Sequence, residues 1–438
     1  MSDLPPGWVS ATVGDIATLT DGPFGSNLKT SHYVEDGPRV IRLQNIGDGV
    51  FHDERAHVST AHFDRLEKHQ VRPGDVVVAS LGERPRACLV PEWLGPAIVK
   101  ADCIRVRPAG AVEHSYLMWM LNSPPVRTEA GSRVKGVGRP RLGLTGLRQL
   151  QIPVPPLGEQ RRIVAAIEEH LSRLDAADAS LTTASRRLDA LARPIRQRVI
   201  ESGLELSLGD LLDTIEAGKS FKCDSRPASD DEWGVVKVSA MTWGTFREHE
   251  NKAMLSNERV DPRWEIRAGD LLVSRANTTD YVGASVLVGA VRPRLLLSDK
   301  SMRLHVKATA HKPWVLHALR APTVRSQMSA VATGTSDSMR NISQAKLRSV
   351  RLRVPPLEEQ RCIVAEVEQR LSAIDAMRAS LERAQRRSKA LRAAILERAF
   401  HGELVPQDPT DEPAENLLTR IRAELADTDT RRGHRTST

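Results

Sequence analysis

The stretch VPPLGEQRRIVAAIEEHLSRLDAADASL, residues 154–181, occurs twice in this chain: residues 354–381 read VPPLEEQRCIVAEVEQRLSAIDAMRASL. The two copies lie 200 residues apart and align without a gap. About two thirds of the aligned positions are identical, which indicates an internal repeat and not a chance similarity. The prediction of the fold therefore starts from this repeat.

Each copy predicts a long helix with a narrow apolar stripe. A Pro-Pro step stops the preceding segment, and behind it an apolar residue recurs at every seventh position, except at Ser388 in the second copy. Since neither helix can bury its stripe alone, we expect an intramolecular coiled coil with pseudo-two-fold symmetry; two unrelated amphipathic helices are the alternative. The expected seam residues are Ile167, Leu174, Leu181, Leu188 and Ile195 in the first copy, and Val367, Ile374, Leu381 and Ile395 in the second.

Two charged residues lie on the otherwise apolar seam. Asp178 and Arg378 occupy the same position of the repeat, near the middle of each helix. If the helices cross in opposite directions there, the two side chains would pair and set the register. We therefore expect an Asp178–Arg378 pair.

The composition predicts two or three domains and no membrane span. The chain has 438 residues, of which 40% are hydrophobic, and no apolar run approaches membrane-spanning length. The N-terminus lacks an export-signal pattern, and the four scattered cysteines suggest neither a disulfide framework nor a zinc site. We expect a cytoplasmic protein. The formal net charge of +8 is compatible with a polyanionic partner.

The repeat divides the chain into alternating variable and helical segments. We expect variable units at 1–153 and 204–353, helical segments at 154–203 and 354–405, and a C-terminal tail with a short helix at 406–438. The fold class is mixed α/β (α+β), because short runs of strand and turn signals fill both variable units. A helix at 115–122 is expected to end before Pro124-Pro125.

The second variable unit is a weak echo of the first. The segment IRAGDLLVSR (266–275) matches VRPGDVVVAS (71–80), and LRAPTVR (319–325) matches LNSPPVR (121–127). Likewise, residues 207–210 match residues 12–15. Repeats that diverge in one part and persist in another suggest a common scaffold that carries two different binding surfaces.

The sequence contains no convincing catalytic motif, and we assign no catalytic and no metal-binding residue. Gly218-Lys219-Ser220 imitates the end of a phosphate-binding loop, but the glycine required five residues earlier is Asp213. Glu250-Asn251-Lys252 has the Glu-x-Lys spacing of many metal-dependent nucleases, with Asp231 upstream, yet such a short pair is common by chance. A stand-alone nuclease and a scaffold that does not read DNA remain the two alternatives.

Candidate DNA contacts lie in polar loops of the two variable units. Arginine, lysine, asparagine and serine are the residue types that read base edges or bind phosphates. The candidates are Ser26, Asn27, Lys29, Arg133, Lys135, Arg139 and Arg141 in the first unit, and Lys219, Lys222, Arg226, Ser336, Ser338, Arg340 and Asn341 in the second.

The chain resembles the specificity subunit of type I restriction–modification enzymes. The doubled VPPLxEQRxIV helices carry this resemblance, together with GPFGSNLK (22–29), GKSFKC (218–223), GVVKVSAM (234–241) and HGELVPQDP (401–409). It covers nearly the whole chain, and the doubled helix motif is highly specific.

The resemblance implies two target recognition domains, each reading one half of a split, asymmetric site in double-stranded DNA, and two antiparallel helices that fix the gap between the halves. It also implies two modification subunits, which would methylate adenine with S-adenosylmethionine, and restriction subunits that would use ATP and Mg²⁺. The chain itself would be non-catalytic and bind no cofactor.

Overall fold

The computed structural model describes residues 4–82, 84–136, 138–255, 260–334, 336–337 and 339–435, with the backbone alone described at Ser26 and at 427–435. The chain divides into two compact units. The first unit combines residues 1–180 with 384–438, and the second comprises residues 181–383. Each unit therefore holds one globular domain and one part of each long helix.

The first globular domain is built from short strands and five helices within the described residues. Its helices are α1 (Val13–Ile16), α2 (Thr60–Arg65), α3 (His114–Leu121), α4 (Pro124–Ser132) and α5 (Leu144–Arg148). Its strands are β1 (Val9–Thr12), β2 (Ala17–Asp21), β3 (Tyr33–Ile41), β4 (His57–Val58), β5 (Gln70–Val71), β6 (Val76–Ala79), β7 (Arg86–Leu89), β8 (Ala97–Val99), β9 (Cys103–Pro108) and β10 (Gln151–Val154). The first long helix, α6 (Leu157–Gln197), follows.

The second globular domain repeats this order of elements. Its strands are β11 (Leu204–Ser207), β12 (Leu212–Ala217), β13 (Gly234–Val236), β14 (Asn251–Ala253), β15 (Leu271–Ser274), β16 (Ala276–Asn277), β17 (Ser285–Leu287), β18 (Leu295–Leu296), β19 (Ser301–Val306), β20 (Arg340–Asn341) and β21 (Arg351–Val354). Its helices are α7 (Lys312–Arg320), α8 (Pro322–Val331) and α9 (Gln344–Arg348), and the chain ends with the long helix α10 (Leu357–Phe400) and α11 (Ala414–Arg435).

The sheets of the two domains share one topology. A four-stranded sheet has the order β2-β9-β6-β7 in the first domain and β12-β19-β15-β17 in the second, antiparallel throughout. A second sheet has the order β4-β3-β8-β5, and its shorter counterpart is β14-β13-β18. In both domains the first and last strands pair antiparallel, β1 with β10 and β11 with β21. The weak sequence similarity between the two variable units therefore reflects a duplication of the fold.

The duplicated segments at 12–15 and 207–210 form the same local structure. The Thr12 and Ser207 hydroxyls each accept a hydrogen bond from a backbone N–H three residues later, where Asp15 and Asp210 bond back to the cap. Such a capping box satisfies two backbone donors at once.

The Pro-Pro step after α3 follows the end of that helix, as predicted, and also begins the next one. α3 does end before it, at Leu121, but Pro124 is the first residue of α4. Proline suits the first turn of a helix because the missing N–H would have had no helical partner there. The step therefore separates two helices.

Each domain has an apolar core between its four-stranded sheet and its helices. In the first, Tyr116 and Leu117 of α3 pack with Val76 and Val106 of the sheet, all at most 1% exposed. In the second, Trp314 of α7 is fully buried with Leu271 and Met302. Full burial of one such side chain stabilises the fold by about 1.5–3 kcal/mol. These cores hold the loops at the sheet edges in place.

The long helices pack against each other as an antiparallel coiled coil, and the contacts can be followed within each unit. In the first unit, Arg392 of α10 pairs with Asp175 at 2.6 Å and Asp178 at 2.9 Å. In the second unit, Arg378 pairs with Asp189 at 2.6 Å, and Leu188, Ala192 and Ile374 form an apolar cluster. The later residue of α10, Arg392, pairs with the earlier residues of α6, and the earlier residue, Arg378, pairs with the later one. This order is that of two antiparallel helices.

The expected Asp178–Arg378 pair is replaced by these partners. Arg378 binds Asp189 and Asp375, while Asp178 binds Arg392. The nearby Ser388 hydroxyl and the Arg392 guanidinium lower the pKa of the Asp178 carboxyl. The register of the helices therefore matches each charge with a residue other than its own repeat equivalent.

The predicted seam residues fall into three groups. Ile167 and Val367, near the helix starts, lie in the cores of the globular domains and are at most 1% exposed. Leu188 and Ile374 lie in the helix–helix cluster. The others are half-buried: Leu174, Leu181, Ile195, Leu381 and Ile395.

The repeated Glu-Gln-Arg motif anchors each long helix to its domain. Gln160 is fully buried; its side-chain oxygen accepts a hydrogen bond from the Glu113 N–H (3.0 Å), and its amide donates to the Pro155 carbonyl (2.9 Å). Gln360 binds the His311 N–H (2.8 Å) and the Pro355 carbonyl (2.9 Å) in the same way. The amide connects the Pro-Pro step to the segment before α3 or α7, which explains why glutamine occurs in both copies.

Candidate DNA interface

In the first domain, the GPFG turn is pressed against the turn at 100–103. Gly22 donates its N–H to the Cys103 carbonyl at 3.0 Å, and a Cβ at Gly22 would lie 2.1 Å from the Lys100 oxygen. Only glycine permits this approach of two backbones. The turn leads into a 3₁₀ helix at Gly25–Asn27, and the side chains of Asn27 and Lys29 are exposed. The side chain of Ser26 lies outside the described residues.

The segment that contains Lys135 and Arg141, which is rich in glycine and arginine, forms a hairpin whose strands meet at these two residues. Their backbones exchange hydrogen bonds of 3.0 and 2.9 Å. Asp102 pairs with Arg139 at 2.8 Å and also with Arg141. One carboxylate therefore orients two guanidinium groups at the hairpin.

The hairpin and the GPFG turn lie side by side. The Arg141 guanidinium carbon is 4.7 Å from the ring centroid of Phe24, which is 44% exposed. The structure thus brings together Phe24, Arg139 and Arg141 around Asp102. Arg133 lies apart from this cluster, since it pairs with Glu129 of α4 at 3.0 Å. Neither Phe24 nor Asp102 was a sequence candidate, although an aromatic residue in a polar turn is a usable signal.

In the second domain, Gly218 occupies the position of Gly22. A Cβ there would lie 2.3 Å from the Ser298 oxygen, so the turn is again held by a close backbone approach. The Lys219 amine is 5.4 Å from the ring centroid of Trp264. Lys219 and Lys222 are exposed.

Arg226 is engaged by acidic residues of its own loop. Its guanidinium binds both carboxylate oxygens of Glu232, at 2.6 and 2.7 Å, and lies 3.5 Å from Asp224. The hydrogen bonds from Arg226, and then those from Ser229, lower the pKa of Glu232 to about 2. This arrangement folds the loop at 224–232 and leaves Arg226 less available than the two lysines.

The second hairpin has the same backbone frame and different side chains. Thr333 and Asn341 exchange hydrogen bonds of 2.8 and 2.7 Å, as Lys135 and Arg141 do in the first domain. The Arg340 guanidinium donates to the Ala332 carbonyl at 2.7 Å. Asn341 is exposed, Ser336 lies at the hairpin tip, and Ser338 lies outside the described residues.

The residues that suggested a nuclease are used in other contacts. Glu250 accepts a hydrogen bond from the Ser239 hydroxyl at 2.8 Å and lies 3.9 Å from the Lys237 amine, and Asp231 lies 3.7 Å from Arg294. Among the described residues, no group of three His, Cys, Asp or Glu side chains could hold a metal ion. The part of the chain that the structure describes also has no helix long and apolar enough to cross a membrane.

Comparison with known proteins agrees with this architecture. Residues 89–183 match the family model of the type I restriction modification DNA specificity domain. The EcoKI specificity subunit of Escherichia coli K12 is 24% identical, with 97% of this chain and 96% of that protein covered. The chain belongs to the specificity subunits of type I restriction–modification enzymes.

Other members of the family match over different lengths. The EcoEI specificity subunit of Escherichia coli is 30% identical over 44% of this chain, and that match spans only 33% of the relative. The StySPI specificity subunit of Salmonella potsdam is 23% identical, with 97% of this chain and 96% of that subunit covered. A specificity subunit is the sequence-recognition part of a type I enzyme and not its catalytic part.

Solved structures share the fold of this specificity subunit. A chain from a type I R-M system, solved to explain complex assembly and conformational transition, superimposes with a TM-score of 0.71 at 21% identity, covering 92% of this chain and 100% of that one. The HsdS subunit from Thermoanaerobacter tengcongensis gives a TM-score of 0.51 at 22% identity, with 92% and 98% covered. Two globular domains and a coiled coil of two long helices are thus the architecture of this subunit.

Proposed function

We propose that this specificity subunit reads a split, asymmetric DNA target, with residues 1–153 and 204–353 as its two target recognition domains. One observation carries the proposal: the two domains hold a turn and a hairpin in the same backbone frame but present different side chains there. Phe24, Arg139 and Arg141 form the first surface, while Lys219 and its neighbours form the second. Different side chains on a common frame predict different half-sites.

The DNA contacts are proposed to come from the turn and the hairpin of each domain. In the first domain these are Asn27, Lys29, Lys135, Arg139 and Arg141 with the Ser26 position; in the second they are Lys219, Lys222, Ser336, Arg340 and Asn341 with the Ser338 position. Arg133 and Arg226 are proposed as indirect contributors, because their guanidinium groups already bind Glu129 and Glu232.

The long helices are proposed as spacers, at 154–203 and 354–405, that set the distance between the two half-sites. α6 has 41 residues and α10 has 44. At a rise of 1.5 Å per residue such a helix is about 60 Å long, which suits half-sites about one DNA turn apart. The segment 406–438 is proposed as a C-terminal tail that packs on the first domain through its helix.

The partners follow from the same proposal. Two modification subunits would dock on the repeated helical segments, since a repeated surface can bind the same partner twice, and would methylate adenine with S-adenosylmethionine. Restriction subunits would add ATP- and Mg²⁺-dependent cleavage. The complex would act in the cytoplasm on double-stranded DNA, and this chain would supply recognition and no cofactor.

A map of methylated adenines in the host DNA, with and without this gene, tests the proposal. We expect a split, non-palindromic motif that disappears on deletion of the gene and returns with the gene on a plasmid. A palindromic motif would contradict the two-surface model. A map that does not change, in cells shown to contain the chain bound to an active methyltransferase, would contradict sequence recognition altogether.

Asp102→Asn tests the position of the first hairpin. Asparagine fits the positive φ of 69° at this residue and keeps the size of the side chain, but it removes the charge that holds Arg139 and Arg141. We expect affinity for nonspecific duplex DNA to rise about 2- to 5-fold at low salt, because two guanidinium groups are no longer neutralised. The preference for the mapped target should fall, because the two groups are no longer oriented.

The matched control for this variant is Asp53→Asn. Asp53 also binds two arginines in the first domain, Arg39 at 2.7 Å and Arg55 at 3.3 Å, away from the hairpin. Affinities measured by fluorescence anisotropy should stay close to those of the wild type. If the two variants behave alike, the hairpin does not lie against DNA.

A further inference from the structure

A cleft of about 250 Å³ in the second unit is lined by three arginines from separate elements. Arg196 comes from the last turn of α6, Arg320 from the end of α7, and Arg325 from α8. Asp280 and Tyr281 also line the cleft. Three guanidinium groups around one cavity repel each other, so the arrangement needs a physical reason.

Two of the three guanidinium groups, those of Arg320 and Arg325, are held in place by backbone carbonyls and not by carboxylates. Arg320 donates to the Ser285 carbonyl at 2.8 and 3.1 Å and to the Gly244 carbonyl at 2.6 Å. Arg325 donates to the Asp280 carbonyl at 2.9 Å, while its other terminal nitrogen, Nη1, is buried and has no hydrogen-bond partner. Within the described residues, none of the three arginines forms an ion pair with a carboxylate.

Burial makes these charges unfavourable but does not remove them. It lowers the pKa of Arg196 and of Arg325, and together with the charge of Arg196 it lowers the pKa of Arg320 to about 10. All three therefore stay protonated at neutral pH. The carboxylate of Asp280 acts in the opposite direction on Arg325, and the carboxylates of Asp375 and Asp189 do so on Arg196. Arg378 adds a fourth positive charge near Arg196, so an excess of positive charge remains at the cleft. Such an excess favours a bound anion.

The corresponding position in the first domain is neutralised from within. Arg127, the counterpart of Arg325, binds Asp48, the Asn122 side chain at 2.7 Å and the Pro85 carbonyl at 3.0 Å. The repeat places Asn122 where the second domain has Arg320, since LNSPPVR aligns with LRAPTVR. The duplication therefore provides an arginine at this position in both domains, paired with the Asp48 carboxylate in the first and, among the described residues, without an ion pair in the second.

Trp243 occupies the position of Asp48. Each of the two residues precedes a glycine with positive φ, 79° at Gly49 and 80° at Gly244, after a matching 3₁₀ turn. Trp243 is 56% exposed, and the Arg247 guanidinium carbon lies 4.6 Å from its ring centroid. Tyr281, at the cleft, is 42% exposed. Exposed aromatic rings beside arginines are typical of surfaces that bind nucleic acid, through stacking and phosphate contacts.

We propose that the cleft formed by Arg196, Arg320 and Arg325 binds a phosphate group, supplied by the DNA backbone beside the half-site of the second domain. This inference rests on the proposed function. It adds a difference between the two domains. The second domain contacts the DNA backbone at a position where the Asp48 carboxylate prevents the first domain from doing so. A phosphate contact of this kind strengthens binding without contributing to sequence preference.

Trp243→Asp tests the phosphate contact, because it places in the second domain the carboxylate that the first domain has at Asp48. Trp243→Asn is its matched control, with the same size and no charge, and both variants are expected to fold because position 243 is exposed. For the full-length chain on its mapped target, we expect Trp243→Asp to bind about 10-fold more weakly than Trp243→Asn. The slope of log K against log salt should fall by about 1, and the ratio of specific to nonspecific affinity should not change.

The source of the phosphate is settled by a second titration, of inorganic phosphate against the full-length chain without DNA, at constant ionic strength. Phosphate binding lost in Trp243→Asp, with DNA affinity equal to that of Trp243→Asn, would support the cleft and identify a small phosphate compound as its ligand. Equal DNA affinity in both variants without phosphate binding would overturn the inference. Failure of the proposed function looks different, since the wild-type chain itself would then show no preference for the mapped target.

Discussion

Replacing Gln360 by leucine is expected to lower the free energy of unfolding of the second unit by about 4 kcal/mol. The side chain is 1% exposed, and its two hydrogen bonds satisfy the His311 N–H and the Pro355 carbonyl. Leucine fills a similar volume but leaves both backbone groups buried and unpaired, and each such group costs about 1–3 kcal/mol. The loss should appear in urea denaturation and as faster amide exchange at the start of α10.

The control for this substitution is Glu358→Gln, two residues earlier on the same helical turn. Glu358 is exposed and pairs with Arg361 at 2.9 Å, so its loss is expected to change stability by less than about 1 kcal/mol. Gln160→Leu should weaken the first unit to the same extent as Gln360→Leu weakens the second. Equal effects of Gln360→Leu and Glu358→Gln would contradict the anchoring role of the buried amide.

The glutamate before each glutamine shows that identical residues in a repeat need not have identical environments. Glu159 is 1% exposed and accepts a hydrogen bond from the Trp8 indole at 3.0 Å; burial raises the pKa of its carboxyl. Its equivalent Glu359 is exposed and binds the Ser202 hydroxyl at 2.9 Å. The sequence predicts the helix start from both, but the N-terminal segment that covers only one of them cannot be predicted from the repeat.

The structure could be predicted from the sequence alone where a short-range pattern controls it. Pro-Pro steps and heptads predicted helices that the structure places at Leu157–Gln197 and Leu357–Phe400. Ion pairs between residues that are distant in the chain could not be predicted in this way. The Arg127–Asp48 pair joins residues 79 positions apart, and Arg392–Asp178 joins residues 214 apart. Such pairs depend on sheet packing and helix register, and no local pattern encodes either.

The candidate interface could likewise be predicted only in part from the sequence. The polar loops could be located from their Gly, Lys and Arg content, and the structure does place the turn and the hairpin of the first domain together. Which arginine is free and which is already bound could not be predicted, since Asp102 lies 37 residues from Arg139 in sequence. The charge of a loop is therefore a weaker guide than the carboxylates that fold against it.

Replacing Arg303 by methionine is expected to lower the free energy of unfolding of the second unit by about 3–5 kcal/mol. Arg303 lies on β19 with its side chain 9% exposed, and it pairs with Glu216 at 2.9 Å and with Asp270 at 3.0 Å. Methionine fills much of the space but leaves two carboxylates without their shared cation, and breaking a buried ion pair costs about that much. Thermal and urea denaturation of the full-length chain would measure the loss.

Arg303 also links the core to the candidate interface. Its guanidinium donates to the carbonyls of Arg263, at 2.8 Å, and Glu265, on either side of Trp264, whose ring lies beneath the Lys219 amine. We therefore expect Arg303→Met to weaken DNA binding by the second domain as well. The control is Arg263→Met, since the Arg263 side chain is 78% exposed and pairs only locally with Asp261. If both substitutions reduce stability equally, the buried ion pairs do not hold this edge.

The first domain has a buried arginine at the equivalent position, and a hydroxyl is among its hydrogen-bond partners. Arg105 on β9 donates to the Lys68 and Gln70 carbonyls and to the Thr20 hydroxyl at 2.8 Å. These carbonyls lie at the positions equivalent to those of Arg263 and Glu265, so one buried arginine secures the same edge in each domain. Arg105→Met should therefore destabilise the first unit, because it leaves two carbonyls and the Thr20 hydroxyl without their shared donor, and each buried group left unpaired costs about 1–3 kcal/mol. No loss of stability in urea denaturation would show that these carbonyl contacts do not hold the edge.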